Sequence, residues 1–354
     1  MKISYYRAEL PYEVDAYVYG TYNADFRPQG DVFVVKNWSM EKTLEYLGTY
    51  FPRSFAESYC IFLDYFEKNK DAWSKKETLR IFDLGCGCGG NLLGVLCAAG
   101  VVLPCMPRIE VRAIDGNPYG VQLCREIMET YFGASWARSF CRVDYVSFSN
   151  AEQLRDTLRQ INTSFDIVMA FKALNEVLTC GYCGASNPYK QFLVSLLPYI
   201  SDDGIACIAD LATTIKLMDC PRCGGEGVGC AEMLGRGCRV KEVAEFLVGE
   251  SNNNWAKVLG ECAHKVGENC PFGCGGVVPE SRVCPIKLSN VYYRDLIRSA
   301  TFDPNFRLVH DNLDANRLGH EAEKTFYVSH SKASNDESHL FWAILQKQVG
   351  VFPV

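Results

Sequence analysis

Hydrophobic residues along this chain alternate between short runs typical of buried strands and longer stretches with helical spacing. Five apolar runs predict strands, at 79–84, 110–115, 142–146, 165–171 and 204–211. Helical spacing lies between and after them, at 91–100, 121–131, 149–161, 191–200 and 291–300. Two last apolar runs, 324–330 and 340–345, are joined by a polar stretch too short to hold a covering helix, which predicts an antiparallel hairpin.

Strands that alternate with helices form right-handed βαβ units, so the pattern predicts an α/β fold. We expect a mostly parallel sheet of seven strands, covered by helices on both faces. Residues 1–75 precede the first strand and predict an N-terminal cap, with helical spacing at 55–66. The sheet domain is expected at 76–211 and 291–354, with an insert at 212–290 between the fifth and sixth strands.

Composition narrows the class of protein. The chain has 354 residues, 48% of them hydrophobic and 22% charged, with a net charge of −6. This negative balance argues against a broadly basic nucleic-acid or membrane-surface protein. The first residues show no apolar signal segment, and the apolar run at 92–106 is broken by Gly and Pro. We therefore expect a cytoplasmic protein with no membrane partner.

A glycine-rich segment at 83–90, Asp-Leu-Gly-Cys-Gly-Cys-Gly-Gly, lies between the first predicted strand and the helix after it. Glycines permit a tight turn and let the backbone come close to a ligand. The following helix presents free N–H groups that suit a carboxylate or a phosphate. Asp115 ends the next strand, where its carboxylate can accept hydrogen bonds from two ribose hydroxyls. The combination predicts a site for a nucleotide or nucleoside.

The same segment resembles motif I of the class I, Rossmann-like S-adenosylmethionine-dependent methyltransferases. The matching residues of the D-x-G-x-G-x-G pattern are Asp83, Gly85, Gly87 and Gly89. The resemblance covers about 85–345 without the insert, and the closing antiparallel hairpin is that family's sheet signature. It implies S-adenosylmethionine as cofactor and methyl transfer as activity, with Asp115 on the ribose and Asp144 on the adenine amino group.

The family's cofactor site, carried onto this sequence, also includes Cys86, Gly116 and Phe171. Catalytic candidates follow the fourth predicted strand, at Lys172, Asn175 and Glu176. We expect Glu176 to act as the base and Asn175 to orient the acceptor, since a base is needed where the acceptor carries a proton. The alternative is an ion pair between Lys172 and Glu176, four residues apart, which makes Glu176 structural. The acceptor, small molecule or macromolecule, is unknown.

Cysteines are concentrated in the predicted insert. Eight of the 18 lie there, at Cys220, Cys223, Cys230, Cys238, Cys262, Cys270, Cys274 and Cys284. The C-x-x-C-x-G-x-G string at 220–227 resembles the zinc repeats of the J-domain co-chaperones. Four thiolates hold a tetrahedral zinc, so eight make two sites, or one site and spare thiols. An iron–sulfur cluster takes the same ligands, and buried or free thiols are the alternative to any metal.

A second function is consistent with the same features. The chain shows similarity to methyltransferase-like assembly factors of the small ribosomal subunit, which pair this fold with a cysteine-ligated metal site. That resemblance implies a binding or assembly protein with little or no catalysis and an RNA or ribosomal partner. Binding to RNA generally uses a basic stripe, which the balanced charge of the insert does not support.

Overall fold

The computed structural model describes residues 6–28, 38–133, 140–146, 156–174, 188–212, 293–313 and 325–348. Its strands are β1 (Tyr6–Glu9), β2 (Thr78–Leu84), β3 (Arg108–Asp115), β4 (Phe140–Tyr145), β5 (Phe165–Phe171), β6 (Ile200–Leu211), β7 (Phe306–Asp311), β8 (Thr325–His330) and β9 (Ala333–Lys347). Its main helices are α1 (Tyr12–Asp15), α2 (Met40–Lys68), α3 (Lys70–Trp73), α4 (Gly90–Val102), α5 (Pro118–Phe132), α6 (Pro188–Leu196) and α7 (Tyr293–Ala300).

The strands form one sheet in the order β1-β8-β9-β6-β5-β2-β3-β4, and β7 pairs with β9. All pairs are parallel except the three made by β9, which runs antiparallel to β6, β7 and β8. The α/β class and the mostly parallel sheet are therefore confirmed. β8 does form an antiparallel hairpin with β9, but its partner is the predicted linker at 333–339, whereas the predicted partner 340–345 pairs with β6 and β7.

The predicted number of seven strands is wrong, because the described residues contain nine. The additions are β1, inside the segment assigned to the cap, and β7. β1 has only four residues, too few for a periodic pattern to appear. The polar stretch placed between the last two runs is also a strand, since β9 begins at Ala333 and is exposed over much of its first half.

Helices cover both faces of the sheet, as predicted. One core lies beneath α2, α4 and α5, and the other beneath α6 and α7. The dominant helix of the N-terminal segment is α2, which begins at Met40, well before the predicted 55, with the Ser39 hydroxyl accepting a bond from Lys42 N at 3.2 Å. It packs closely on α4, where a Cβ added to Gly94 lies 2.0 Å from Ser58 Oγ.

The predicted domain boundaries stay predictions. Residues 213–290 of the insert and the predicted helix start at 149–155 lie outside the described residues. None of the described helices combines the length and the hydrophobicity that a membrane-spanning segment requires.

Candidate functional site

The glycine-rich segment lies where the strand order of the sheet reverses. β2 pairs with β3 on one side and with β5 on the other, so the connection after β2, which leads to β3, and the connection after β5, which leads to β6, leave in opposite directions. In open α/β sheets this crevice is the usual place for a ligand. The structure thus places the predicted loop after β2 beside the residues that follow β5.

The loop has a conformation that requires glycine. Gly85, Gly87 and Gly89 have φ values of +76°, +52° and +90°. An added Cβ at Gly85 lies 2.2 Å from the Cβ of Ala173, just after β5. The left-handed backbone and the close neighbour together exclude a side chain at Gly85. α4 begins directly after the loop and directs its first N–H groups toward it.

Asp115 ends β3 and is bonded to this loop. Its Oδ2 accepts from Gly87 N at 2.7 Å, and its Oδ1 accepts from Asn117 N at 2.7 Å. Burial raises the pKa of Asp115 to about 6, although the two backbone bonds act to lower it. A carboxylate has about four acceptor positions, so each oxygen can accept one more hydrogen bond. The residue can therefore hold a pair of neighbouring hydroxyls beside the glycine turn.

Asp83 comes before the loop and is fully buried. Neither of its oxygens has a hydrogen-bond partner among the described residues. Burial, and then the negative charge of Asp115, raise the pKa of Asp83 well above its ordinary value. Burial thus favours the uncharged form of both acids beside the loop.

The other predicted cofactor residues occupy varied surroundings. The Cys86 thiol donates to Gly87 O at 3.7 Å, and its interaction with the Cys124 side chain of α5, followed by burial, raises its pKa. Gly116 lies between Asp115 and Asn117, whereas Phe171 is buried in the core at the end of β5. Asp144 makes ion pairs with Arg112 (3.0 Å) and Arg142 (2.8 Å). Its predicted bond to adenine stays a prediction.

One wall of the site comes from the first half of α2, which the sequence did not reveal as part of it. Thr43 Oγ1 accepts from Asn117 Nδ2 at 3.1 Å, so the helix contacts the turn after β3. The Tyr46 ring lies against Gly87, where an added Cβ is 3.3 Å from its Cε1. Tyr46 also stacks on Tyr50, with ring centroids 5.2 Å apart. The contacts of Thr43 with Asn117 and of Tyr46 with Gly87 join residues far apart in sequence, and a single sequence carries no local signal for them.

Lys172 follows β5 directly and has a φ of +54°, which is uncommon for a residue other than glycine. Its Nζ lies 2.6 Å from Glu57 Oε2 and donates to Ser54 Oγ at 3.0 Å. Both partners are on α2, and Glu57 is fully buried. The other catalytic candidates, Asn175 and Glu176, lie outside the described residues, and their roles stay predictions.

The metal-site prediction concerns residues that the structure does not describe. All eight cysteines of the insert lie outside the described ranges. Within those ranges, no group of three or more His, Cys, Asp or Glu residues could hold a metal ion.

No protein-family model matches the sequence, and no curated protein does. Solved structures to which this chain is similar include magnesium protoporphyrin IX methyltransferase from Synechocystis PCC 6803, at 10% identity and a TM-score of 0.37, with 94% of this chain and 97% of that chain covered. The plantazolicin methyltransferase BpumL in complex with SAH is 10% identical, with 95% and 96% covered and a TM-score of 0.38.

A putative RNA methyltransferase from Pyrococcus horikoshii is also 10% identical, with 84% and 85% covered and a TM-score of 0.35. These three structures are methyltransferases by name. Their identities and TM-scores are too low to place this chain in a family.

Proposed function

We propose that this protein is an S-adenosylmethionine-dependent methyltransferase. One observation carries the proposal: the Asp115 carboxylate is bonded to Gly87, in a left-handed glycine turn at the point where the strand order reverses. A nucleoside needs an acceptor pair for its ribose hydroxyls and a backbone that can come close to it, and both are present. The first turn of α4 suits the carboxylate of the methionine moiety.

The residues of the chain fit this donor by their chemistry. When bound, S-adenosylmethionine supplies a methyl group already activated on a sulfonium sulfur. The protein's part is then to align donor and acceptor and to exclude water. Asp115 would hold the ribose, and the glycine turn would let the backbone come close to the donor. Tyr46 lies against the turn and would close the donor site on the side of α2.

Deprotonation of the acceptor is assigned to the segment after β5. We propose Glu176 as the base and Asn175 as the group that orients the acceptor, on the strength of their position in the sequence. The acceptor itself is unspecified. If it carries no proton at the working pH, Glu176 is not required for turnover.

Transfer of a labelled methyl group tests the proposal. Purified protein is incubated with methyl-labelled S-adenosylmethionine and with separate RNA, protein and small-molecule fractions of a cell extract. Label in one fraction, lost with Asp115→Ala, supports the enzyme. Donor binding without transfer to any fraction supports instead a binding or assembly protein built on the same fold.

We also propose that the eight cysteines of the insert bind metal, with zinc favoured and an iron–sulfur cluster as the alternative. The support is the sequence, in which paired cysteines and glycines at 220–227 suit convergent thiolates. Elemental analysis and the visible absorption spectrum distinguish the two, because a cluster is coloured and zinc is not. Folded, colourless, metal-free protein contradicts both.

A further inference from the structure

The Glu57–Lys172 ion pair is the contact from which we infer a role in positioning the donor site. It joins α2 to the first residue after β5, with Nζ and Oε2 2.6 Å apart. Both side chains are shielded, with Glu57 0% and Lys172 13% exposed. A buried ion pair adds little net stability compared with apolar residues of similar volume. Stability alone therefore does not explain why this pair is present.

The pair holds the backbone that supports the glycine turn. Lys172 has a left-handed φ, and its amide donates to Ala209 O of β6 at 2.9 Å. That turn places the next residue, Ala173, beneath Gly85, with 2.2 Å between the Ala173 Cβ and a Cβ added to the glycine. A left-handed lysine is sterically disfavoured and persists where its surroundings fix it. The ion pair with Glu57, together with the hydrogen bond to Ser54, supplies that restraint.

The same stretch of α2 holds the other side of the turn. Ser54, which accepts a bond from Lys172, lies against Gly90, at the start of α4. An added Cβ there is 2.9 Å from Ser54 Cβ and 2.6 Å from Phe51 O. Helix α2 thus contacts the glycine turn from one side and, through the ion pair, fixes the segment that contacts it from the other.

We propose that Glu57 and Lys172 are positioning residues that set the conformation of the donor loop, and that donor affinity depends on their pairing. This inference rests on the proposed function. A buried pair that only stabilised the fold would have no specific effect on donor binding.

Four variants and one control separate these roles, with S-adenosylhomocysteine as the probe. Glu57→Gln and Lys172→Met each leave a buried charge unpaired, and the double variant removes both charges. Lys172→Arg keeps the charge. The control is Lys76→Met, which breaks a similarly shielded ion pair away from the glycine turn. Lys76 Nζ lies 2.6 Å from Asp166 Oδ1, with side-chain exposures of 16% and 7%, and the pair is at the amino-terminal ends of β2 and β5, whereas the glycine turn follows the carboxyl end of β2.

We expect both single variants to unfold at lower urea and to raise the Kd at least about tenfold, which corresponds to about 1.4 kcal/mol. The double variant should regain the urea midpoint, since no unpaired charge remains, while its Kd stays high. Lys172→Arg should recover most of the affinity. Lys76→Met should lower the urea midpoint and bind the probe within about twofold of wild type.

Wild-type affinity in the folded double variant overturns the inference but leaves the proposed function intact. An equal loss of affinity in Lys76→Met overturns it as well, because general loosening then explains the effect. If the wild-type protein itself does not bind the probe, the proposed function fails, and this inference fails with it.

Discussion

Without a ligand, Asp115→Asn should become more stable relative to the wild type as pH rises. The same variant should lose its affinity for the donor. Burial raises the pKa of Asp115 from 3.8 to about 6 in the folded chain. The carboxyl therefore loses its proton more readily when the chain is unfolded. Its favourable contribution is complete below the unfolded pKa and is lost as pH rises through about 6.

The size of the effect follows from the difference in pKa. The pKa of Asp115 differs by about two between the folded and unfolded chain, and each pKa unit corresponds to about 1.36 kcal/mol. At high pH the charged carboxylate therefore lowers the free energy of unfolding of the wild type by about 3 kcal/mol. Asparagine carries no charge, so Asp115→Asn lacks this penalty. It also leaves one of the N–H donors of Gly87 and Asn117 facing an amide NH₂, but that cost does not vary with pH.

Urea unfolding of both proteins at several pH values measures this difference. From about pH 4 to pH 8, the free energy of unfolding of the wild type should fall by about 2–3 kcal/mol relative to Asp115→Asn. S-adenosylhomocysteine should bind the wild type more tightly as pH rises through about 6 and should bind the variant weakly throughout. Parallel stability curves for the two proteins would refute this account of Asp115.

Three further predictions concern the loop, the α2 wall and the insert. Gly85→Ala should lower the free energy of unfolding more than Gly133→Ala and should abolish donor binding. Both glycines have positive φ, but of the two only an added Cβ at Gly85 meets a close neighbour among the described residues, the Ala173 Cβ at 2.2 Å; equal urea midpoints would contradict this. Asp336→Asn should lower the free energy of unfolding by about 3 kcal/mol, because it removes the counter-charge of the buried Arg53, whose Nη2 lies 2.7 Å from Asp336 Oδ1. A loss below about 1 kcal/mol would indicate that the pair behaves like an exposed one. A strong chelator should remove metal from the cysteine-rich insert and leave donor binding unchanged, as measured by elemental analysis and calorimetry.

The strands of the central sheet could be predicted from the sequence because each has a strong local pattern of hydrophobic residues. β5 is apolar at six of its seven positions and buried throughout, and its predicted limits, 165–171, match the structure. The glycine turn and Asp115 were predictable for the same reason, since a few consecutive residues define each. Polar residues in the first half of β9 carry no such signal, because pairing with β8 rather than side-chain burial makes them a strand.

Contacts between residues far apart in the chain could not be predicted from the sequence. Glu57 and Lys172 meet although 115 positions separate them, and each resembles an ordinary helical or loop charge when considered alone. Lys172 has a residue of opposite charge at the helical spacing of four, which made Glu176 the natural partner to predict. β1 becomes a strand only by pairing with β8, at the other end of the chain. Such partners are set by the fold and not by the local pattern.

Calorimetric titration with S-adenosylmethionine shows whether Asp115 and the glycine turn bind a donor. We expect saturable binding of one donor per chain to the wild type, and loss of that binding with Asp115→Ala in protein that remains folded. Absence of binding to the folded wild type, or unchanged affinity in the variant, would contradict the claim that Asp115 and the glycine turn form a donor site.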